Sequence, residues 1–403
     1  MSIGPDGSPE ASIASIASIA SIASIASIAS IGPAASIASI GGTDGPLTTD
    51  ALITNRDGIV GGPLNLNPNI AAGVANDVAN LPRLSEDVRA SLFMGELAPN
   101  VGFTSSTIGG QPSITAWQFD GLTSPADPAT PPTACAPTPL VTLNSPTIEQ
   151  FKAQVPMIMA YGDLRADRGA EILAQLSPPY AFFASIGFMD FARTPRTIEF
   201  LGAAGRLTNM VYMRMKYALA CKRPIEFTPQ MQPMIGTPTH GSLPSGHATE
   251  AFLLARLIWK LLRDSGAQQY QDPIWGEMLM RQASRVAVNR TVAGVHFPMD
   301  SVAGAILGLT LADFIYERSA PGITSRTTAE FNAPNFDAQN DFDWHALYAP
   351  ATDTQASESG PASAPWAKSS TITATNPGQA PMMGWLYGKA VEEWADVKPA
   401  SGS

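Results

Sequence analysis

The sequence predicts an all-α protein, a helical bundle preceded by an irregular N-terminal wrapper. From Ser145 onward apolar residues recur at three- and four-residue intervals, as in Ile198, Leu201, Leu207, Met210 and Val211, the period of an amphipathic helix. The two-residue alternation that a half-buried strand needs is scarce. Before Ser145 the chain is rich in Pro, Gly, Thr and Asn without a clear period, which is the composition of loops.

Residues 1–45 form a low-complexity arm in which Ala-Ser-Ile recurs from Ala11 to Ile31 and again from Ala35 to Ile40. A period of three fits neither a strand nor a helix, so disorder or an accessory role is expected, with β-prone stickiness left open. The first basic residue is Arg56, so the basic region of a secretory signal is missing and the compartment stays open. Residues 46–144 read as loop-rich, with Ser124–Pro139 an extended loop.

Residues 145–320 read as the helical catalytic core. Ser145-Pro146 resembles a cap followed by Pro at the first helical position. Helices are expected at Asp163–Gln175, Tyr180–Phe191, Pro195–Cys221, Ser245–Asp264, Ile274–Thr291 and Pro298–Arg318. Residues 321–403 read as a Pro/Ser/Thr-rich tail that ends in a short amphipathic piece, Trp385–Val397. That piece would dock on the body or on a neighbouring subunit.

At 403 residues the chain can bury a sizeable core as one large domain or two smaller ones. No stretch reaches the roughly 18–20 apolar residues of a membrane span. The closest, Ser301–Ala312, is flanked by Asp300 and Asp313 and reads as a buried core helix, so a soluble protein without a transmembrane segment is expected. Cys135 and Cys221 form no metal or disulfide pattern and read as buried free thiols.

Charge is spread unevenly. A net charge of −10 argues against nucleic acid or an anionic membrane as partner. Yet Arg193 to Asp300 carries thirteen Lys and Arg against seven Asp and Glu, a net of +6, which leaves −16 for the remainder. A basic segment inside an acidic chain points to a local anion site.

Three of the four histidines, His240, His247 and His296, lie in that segment beside short fixed patterns. Lys216 precedes Arg223-Pro224 by seven residues, two helical turns, so both cations are expected on one face of a helix ending at Pro224. Two such cations neutralise a multiply charged oxyanion, and Arg adds a planar fork. In Pro244-Ser245-Gly246-His247, the backbone N–H groups of Ser245 and Gly246 would open a helix and cradle an anion. His247, in the same turn, could give a proton to an oxygen of that anion. The last pattern is Arg290, His296 and Asp300. Pro298 suits a helix start, Asp300 would accept His296 Nδ1–H and leave the Nε2 lone pair free, and Arg290 would supply a third cation.

In this order the patterns resemble the signature of the superfamily of type-2 phosphatidic acid phosphatases and vanadium-dependent haloperoxidases: K-x6-R-P, P-S-G-H and S-R-x5-H-x3-D. The resemblance runs from Lys216 to Asp300, about a fifth of the chain, and departs at Asn289, where the family usually has Ser. It implies a haloperoxidase-like fold of two four-helix bundles and vanadate as cofactor. Lys216, Arg223, Ser245, Gly246 and Arg290 would hold the oxyanion. His296 would bond its central atom, the vanadium, while Asp300 orients His296 and His247 acts as acid–base.

Two reactions are open to such a site, because vanadate bonded to histidine has the trigonal-bipyramidal geometry of phosphoryl transfer. In a haloperoxidase, hydrogen peroxide oxidises bromide or iodide to a hypohalite-level species that halogenates a small organic acceptor. In a soluble acid phosphatase of the superfamily, His296 attacks phosphorus to form a phospho-histidine and His247 protonates the leaving alcohol. His240 favours the first: algal-type bromoperoxidases have His seven residues before the Pro-Ser-Gly-His histidine, and chloroperoxidases have Phe. There it would touch bound peroxide or tune the cofactor; a solvated loop histidine is the alternative. Ala248-Thr249 and the chain length also resemble haloperoxidases. Met213 cuts the other way, because haloperoxidases commonly place Trp three residues before the Lys. An inactive phosphate-binding or structural protein is a third reading, disfavoured by the complete residue set. A homo-oligomer is left open.

Overall fold

The computed structural model describes residues 46–62, 64–119, 137–355, 366–373 and 380–395. The Ala-Ser-Ile arm, Cys135 and most of the Ser124–Pro139 loop lie outside them. Helices α1 (Pro46–Ile59) and α2 (Glu86–Leu97) come first. Strands β1 (Val101–Ile108) and β2 (Gln111–Gln118) then form a hairpin across Gly109-Gly110. Both glycines have positive φ, 58° and 81°, as a two-residue hairpin turn requires. Strand β3 (Thr138–Asn144) follows.

The helical region starts at α3 (Ile148–Tyr161). Its cap is Thr147, two residues later than the sequence places it. Thr147 Oγ accepts the Gln150 N–H at 3.1 Å, and the Gln150 side chain returns to the Thr147 N–H at 2.9 Å. Next come α4 (Arg165–Ala174), α5 (Tyr180–Gly187), α6 (Pro195–Leu219), α7 (Pro224–Phe227), α8 (Gly246–Asp264), α9 (Ile274–Val292) and α10 (Pro298–Ser319). The all-α bundle predicted from the sequence is present as a mostly helical fold, joined by a sheet that the prediction did not include.

Helix α10 is the centre of the core, buried along nearly its whole length and packed on α8. Gly304 and Gly308 allow that contact. A Cβ on Gly304 would lie 2.7 Å from Ser245 O, and one on Gly308 would lie 2.2 Å from Thr249 O. The two backbones therefore meet where α8 begins. By length and composition this 22-residue helix could cross a membrane, which corrects the shorter run read from the sequence; 94% of its most apolar window is buried inside the protein.

The flanking regions hold more regular structure than their composition implied. After α10 come β4 (Ser325–Asn332), the short pair β5 (Tyr348–Ala349) and β6 (Thr354–Gln355), then β7 (Ala367–Thr373) and α11 (Pro381–Ala395). One five-stranded sheet runs β1-β2-β3-β4-β7, with β3 and β4 parallel and the other pairs antiparallel. It joins the N-terminal region to the tail and packs on α10 through β3 and β4.

The tail docks on the body of its own chain. Glu393 on α11 accepts the N–H groups of Arg196 and Thr197 at 2.6 and 2.8 Å, capping the helix that carries Lys216. Glu96 on α2 accepts those of Met382 and Met383 at 3.0 and 2.9 Å, capping α11 in turn. Asp353, in the turn between β5 and β6, reaches Arg256 and Lys260 on α8 at 3.1 and 2.7 Å. Both cations also meet Asp313 on α10, at 2.9 and 3.2 Å.

Candidate active site

Three buried cations and an oriented histidine come together where α8 and α10 begin. Helix α6 ends at Leu219, and Ala220 turns into the left-handed region at φ 48°. Lys216 and Arg223 therefore do not share one helical face, which corrects the expectation from their spacing. Arg223 precedes Pro224 and is extended (φ −83°, ψ 155°), as a residue before proline prefers. It comes back to the site from beyond the helix end. Both cations still converge, because the Gly241 carbonyl accepts from Lys216 Nζ at 3.0 Å and from Arg223 Nη2 at 3.1 Å.

His296 has the tautomer its surroundings dictate. Its Nδ1 donates to Asp300 Oδ2 at 3.0 Å, and the same oxygen accepts the Phe297 N–H at 3.0 Å. The Nε2 lone pair accepts from Arg223 Nη1 at 3.0 Å. Burial, and next the Arg223 and Lys216 charges, hold His296 well below its usual range, so the ring stays neutral and the Nε2 lone pair unprotonated. Burial raises the Asp300 carboxyl to about 6, opposed by the Phe297 N–H and the two cations.

The free amides at the start of α8 lie one residue later than the sequence places them. The Ser245 N–H donates to the Asp300 carbonyl at 2.8 Å, which takes it out of that set and ties the starts of α8 and α10 together. Ser245 is the N-cap, its Oγ accepting the Ala248 N–H at 3.4 Å. The amides of Gly246 and His247, at the first two helical positions, are the ones helix geometry leaves without an intrahelical partner. His247 Nε2 donates to the Gln175 carbonyl at 3.1 Å, leaving Nδ1 as the nitrogen able to trade a proton. Burial and Arg290 hold this ring well below its usual range too.

Arg290, on α9, is fully buried. Its Nη2 donates to Gln175 Oε1 at 3.0 Å and to Ile172 O at 3.3 Å, whereas Nε and Nη1 have no partner. Burial lowers Arg290 and Arg223 to about 10 each and, with Arg223 beside it, Lys216 well below its usual value. Three buried cations, with Asp300 the carboxylate nearest the histidine and two orphaned guanidinium donors on Arg290, form a site that an oxyanion would relieve.

Of the remaining residues named from the sequence, His240 and Asn289 also touch residues of this site. His240 is partly buried, its Nδ1 accepting from Arg223 Nη2 at 3.0 Å, and burial followed by Lys216 holds it down to about 4. It thus touches the cation rather than lying free in a loop. Asn289 is committed to neighbouring side chains, its Nδ2 donating to Glu171 Oε1 at 2.9 Å and Gln175 Oε1 at 3.0 Å. Met213 packs against the hydrophobic core. Cys221 is a free buried thiol 3.3 Å from Ser145 Oγ, and burial pushes it up to about 12.

The motifs did not reveal Gln175, whose carbonyl and side chain meet His247 and Arg290, nor the pair Tyr212 and Glu250. Tyr212 Oη donates to Glu250 Oε1 at 2.8 Å, and its ring lies 3.2 Å from where a Cβ on Gly246 would stand. A sequence cue existed for that pair alone: Tyr212 is one turn before Lys216, and Glu250 one turn after His247.

Residues 199–320 match the family model described as the PAP2 superfamily, an interval that contains all three motifs. A vanadium-dependent bromoperoxidase from Ascophyllum nodosum is 29% identical over 116 residues, which is 24% of this chain and 21% of that protein. The chain thus spans about a fifth of the length of that curated relative.

Proposed function

We propose, from the premise that residues 199–320 belong to the PAP2 superfamily, that this protein is a vanadium-dependent haloperoxidase acting on bromide or iodide with hydrogen peroxide. The observation that carries the oxyanion chemistry is Arg290, a buried guanidinium with two donor nitrogens lacking partners, whose charge acts together with those of Lys216 and Arg223 on His247. The likeness to a bromoperoxidase and the contact of His240 with Arg223 support the halide reaction over the alternatives.

In this reading Lys216, Arg223 and Arg290 neutralise the anion, and the Gly246 and His247 amides approach it from the start of α8. His296 Nε2 bonds its central atom while Asp300 holds the proton on Nδ1. Bound there, vanadate supplies the Lewis-acidic centre at which hydrogen peroxide is activated towards halide. His247 moves a proton at Nδ1, its Nε2–H remaining on the Gln175 carbonyl. His240 acts through Arg223, tuning how firmly that guanidinium holds the anion.

A soluble phosphatase is the second reading, favoured by the PAP2 match and by Met213 in place of Trp. There His247, protonated at Nδ1 once the phosphate charge offsets the neighbouring cations, gives that proton to the alkoxide that departs as His296 Nε2 attacks phosphorus. It then takes a proton from the water that attacks the phospho-histidine and releases phosphate.

A paired assay separates the two. Orthovanadate, hydrogen peroxide and bromide or iodide are supplied with a dione dye; in parallel, p-nitrophenyl phosphate hydrolysis is followed with and without vanadate. Vanadate-dependent halogenation, lost in His296→Ala and altered in rate or halide preference in His240→Ala, is the expected result. Phosphate release blocked by vanadate, without halogenation, would establish the phosphatase instead.

A further inference from the structure

Two of the groups that would face the anion are held by one residue that lies in none of the motifs. Gln175 is fully buried at the C-terminal end of α4. Its carbonyl, one of the acceptors a helix end leaves unpaired, takes the His247 Nε2–H at 3.1 Å. Its Oε1 accepts from Arg290 Nη2 and from Asn289 Nδ2, each at 3.0 Å. Its Nε2 donates to Glu171 Oε1 at 3.0 Å. With the amide nitrogen committed to a carboxylate, the amide oxygen has to face Arg290.

We infer that Gln175 is the positioning residue of this site, setting the placement of Arg290 through its side chain and of His247 through its main chain. The inference rests on the oxyanion reading above. A guanidinium is planar, so fixing Nη2 on Gln175 and Ile172 fixes the plane of the group and with it the directions in which Nε–H and Nη1–H point. Those are the two nitrogens without partners.

Gln175 also separates two charges. Glu171 lies close enough to act electrostatically on Arg290, yet the carboxylate pairs with Arg285 at 2.7 Å and donors from Gln175 and Asn289 complete its shell. The neutral amide lets Arg290 keep its charge for an anion. This also accounts for Asn289 where the resembled family has Ser. Asn289 Nδ2 reaches Gln175 and Glu171 together, while its Oδ1 accepts from Arg168 Nη1 at 3.1 Å.

The test is orthovanadate binding to the full chain by isothermal titration calorimetry, with wild type, Gln175→Ala, Gln175→Met, Arg290→Ala and the Gln175→Ala/Arg290→Ala double variant. Gln175→Met keeps the side-chain length and serves where the Ala variant does not fold. Either Gln175 variant should weaken binding by about 10- to 100-fold, the scale of losing a residue that orients a ligand-holding group. The double variant should bind no more weakly than Arg290→Ala alone, because the side chain of Gln175 acts through that guanidinium. A purely structural Gln175 would instead give losses that add. Additive losses, or vanadate affinity unchanged in both single Gln175 variants, would overturn the inference while leaving the oxyanion reading intact. Wild type that binds no vanadate would overturn that reading and this one with it.

Discussion

Arg223 Nη1 donates to His296 Nε2 at 3.0 Å, so the lone pair that Asp300 leaves on the ring is covered by a cation. The same guanidinium reaches Val295 O at 2.8 Å, His240 O at 3.1 Å and His240 Nδ1 at 3.0 Å. A ligand bonded at Nε2 must displace the Nη1 contact, and its own negative oxygens replace what Arg223 loses. Binding at His296 and capture by Arg223 are thus one coupled exchange.

Arg223→Lys should therefore weaken anion binding although the charge is kept. An ammonium is a point donor on a flexible stem and cannot span the carbonyls of His240, Gly241 and Val295 while facing an anion. Two charge-assisted bonds lost correspond to about 100-fold in vanadate or phosphate affinity, measured by calorimetry. Affinity within threefold of wild type would show that charge alone, without the planar fork, holds the ligand.

Glu250 makes stability depend on pH near neutrality. Burial raises its carboxyl from 4.5 to about 7, against the hydrogen bond from Tyr212 and the Lys216 charge, both of which lower it. Tyr180 is the further titratable group within its electrostatic reach. A carboxyl whose folded value is raised contributes stability fully below its unfolded value, and that contribution fades as pH rises through the folded one. Wild type should lose on the order of 3 kcal/mol between about pH 4.5 and 7.5 from this group. Glu250→Gln cannot ionise, so its melting temperature relative to wild type should rise across that window. A pH-independent difference would mean that Glu250 does not titrate there.

How much of this was legible follows from sequence distance. Pro-Ser-Gly-His places the cap, the free amides and His247 within one helical turn, and His296 with Asp300 spans another, so spacing locates them to within one residue. Arg223 was misplaced because Ala220, with no Gly or Asn to signal it, ends α6 in the left-handed region. Gln175 was invisible because its contacts to His247 and Arg290 cross 72 and 115 residues. The sheet hid for similar reasons. Its parallel pair aligns Val141 with Ala329, and β1, exposed along most of its length, lacks apolar alternation. Gly109-Gly110 was its one local cue.

Asp353→Asn tests how the tail is pinned. Asp353 sits at φ 52°, a conformation Asn tolerates, so the change removes charge rather than backbone fit. Burial opposes its ionisation, but Arg256 and Lys260 outweigh that and hold the carboxyl far below its usual range. Without it, Arg256 and Lys260 are left to share Asp313, and Arg263 loses the carboxylate it pairs with. Leaving buried cations underpaired should cost about 3–5 kcal/mol, read from urea unfolding at pH 7. Because the folded value is depressed, the wild-type advantage should persist down to about pH 4 and disappear only below it.

Gly308→Ala and Gly304→Ala separate core packing from site geometry. On Gly308 a Cβ would meet the backbone of Thr249 at 2.2 Å and of Leu253 at 3.0 Å, inside α8, where neither helix has a flexible side chain to move aside. The helices must part, and overpacking of this kind costs about 1–3 kcal/mol or more. On Gly304 the added methyl would meet Ser245 O at 2.7 Å, next to the amide that anchors α8 to Asp300. Displacing Ser245 also shifts the Gly246 and His247 amides. Gly304→Ala should therefore lose more vanadate affinity, for a given drop in melting temperature, than Gly308→Ala. Equal affinity losses at matched stability would mean that the start of α8 takes no part in holding the anion.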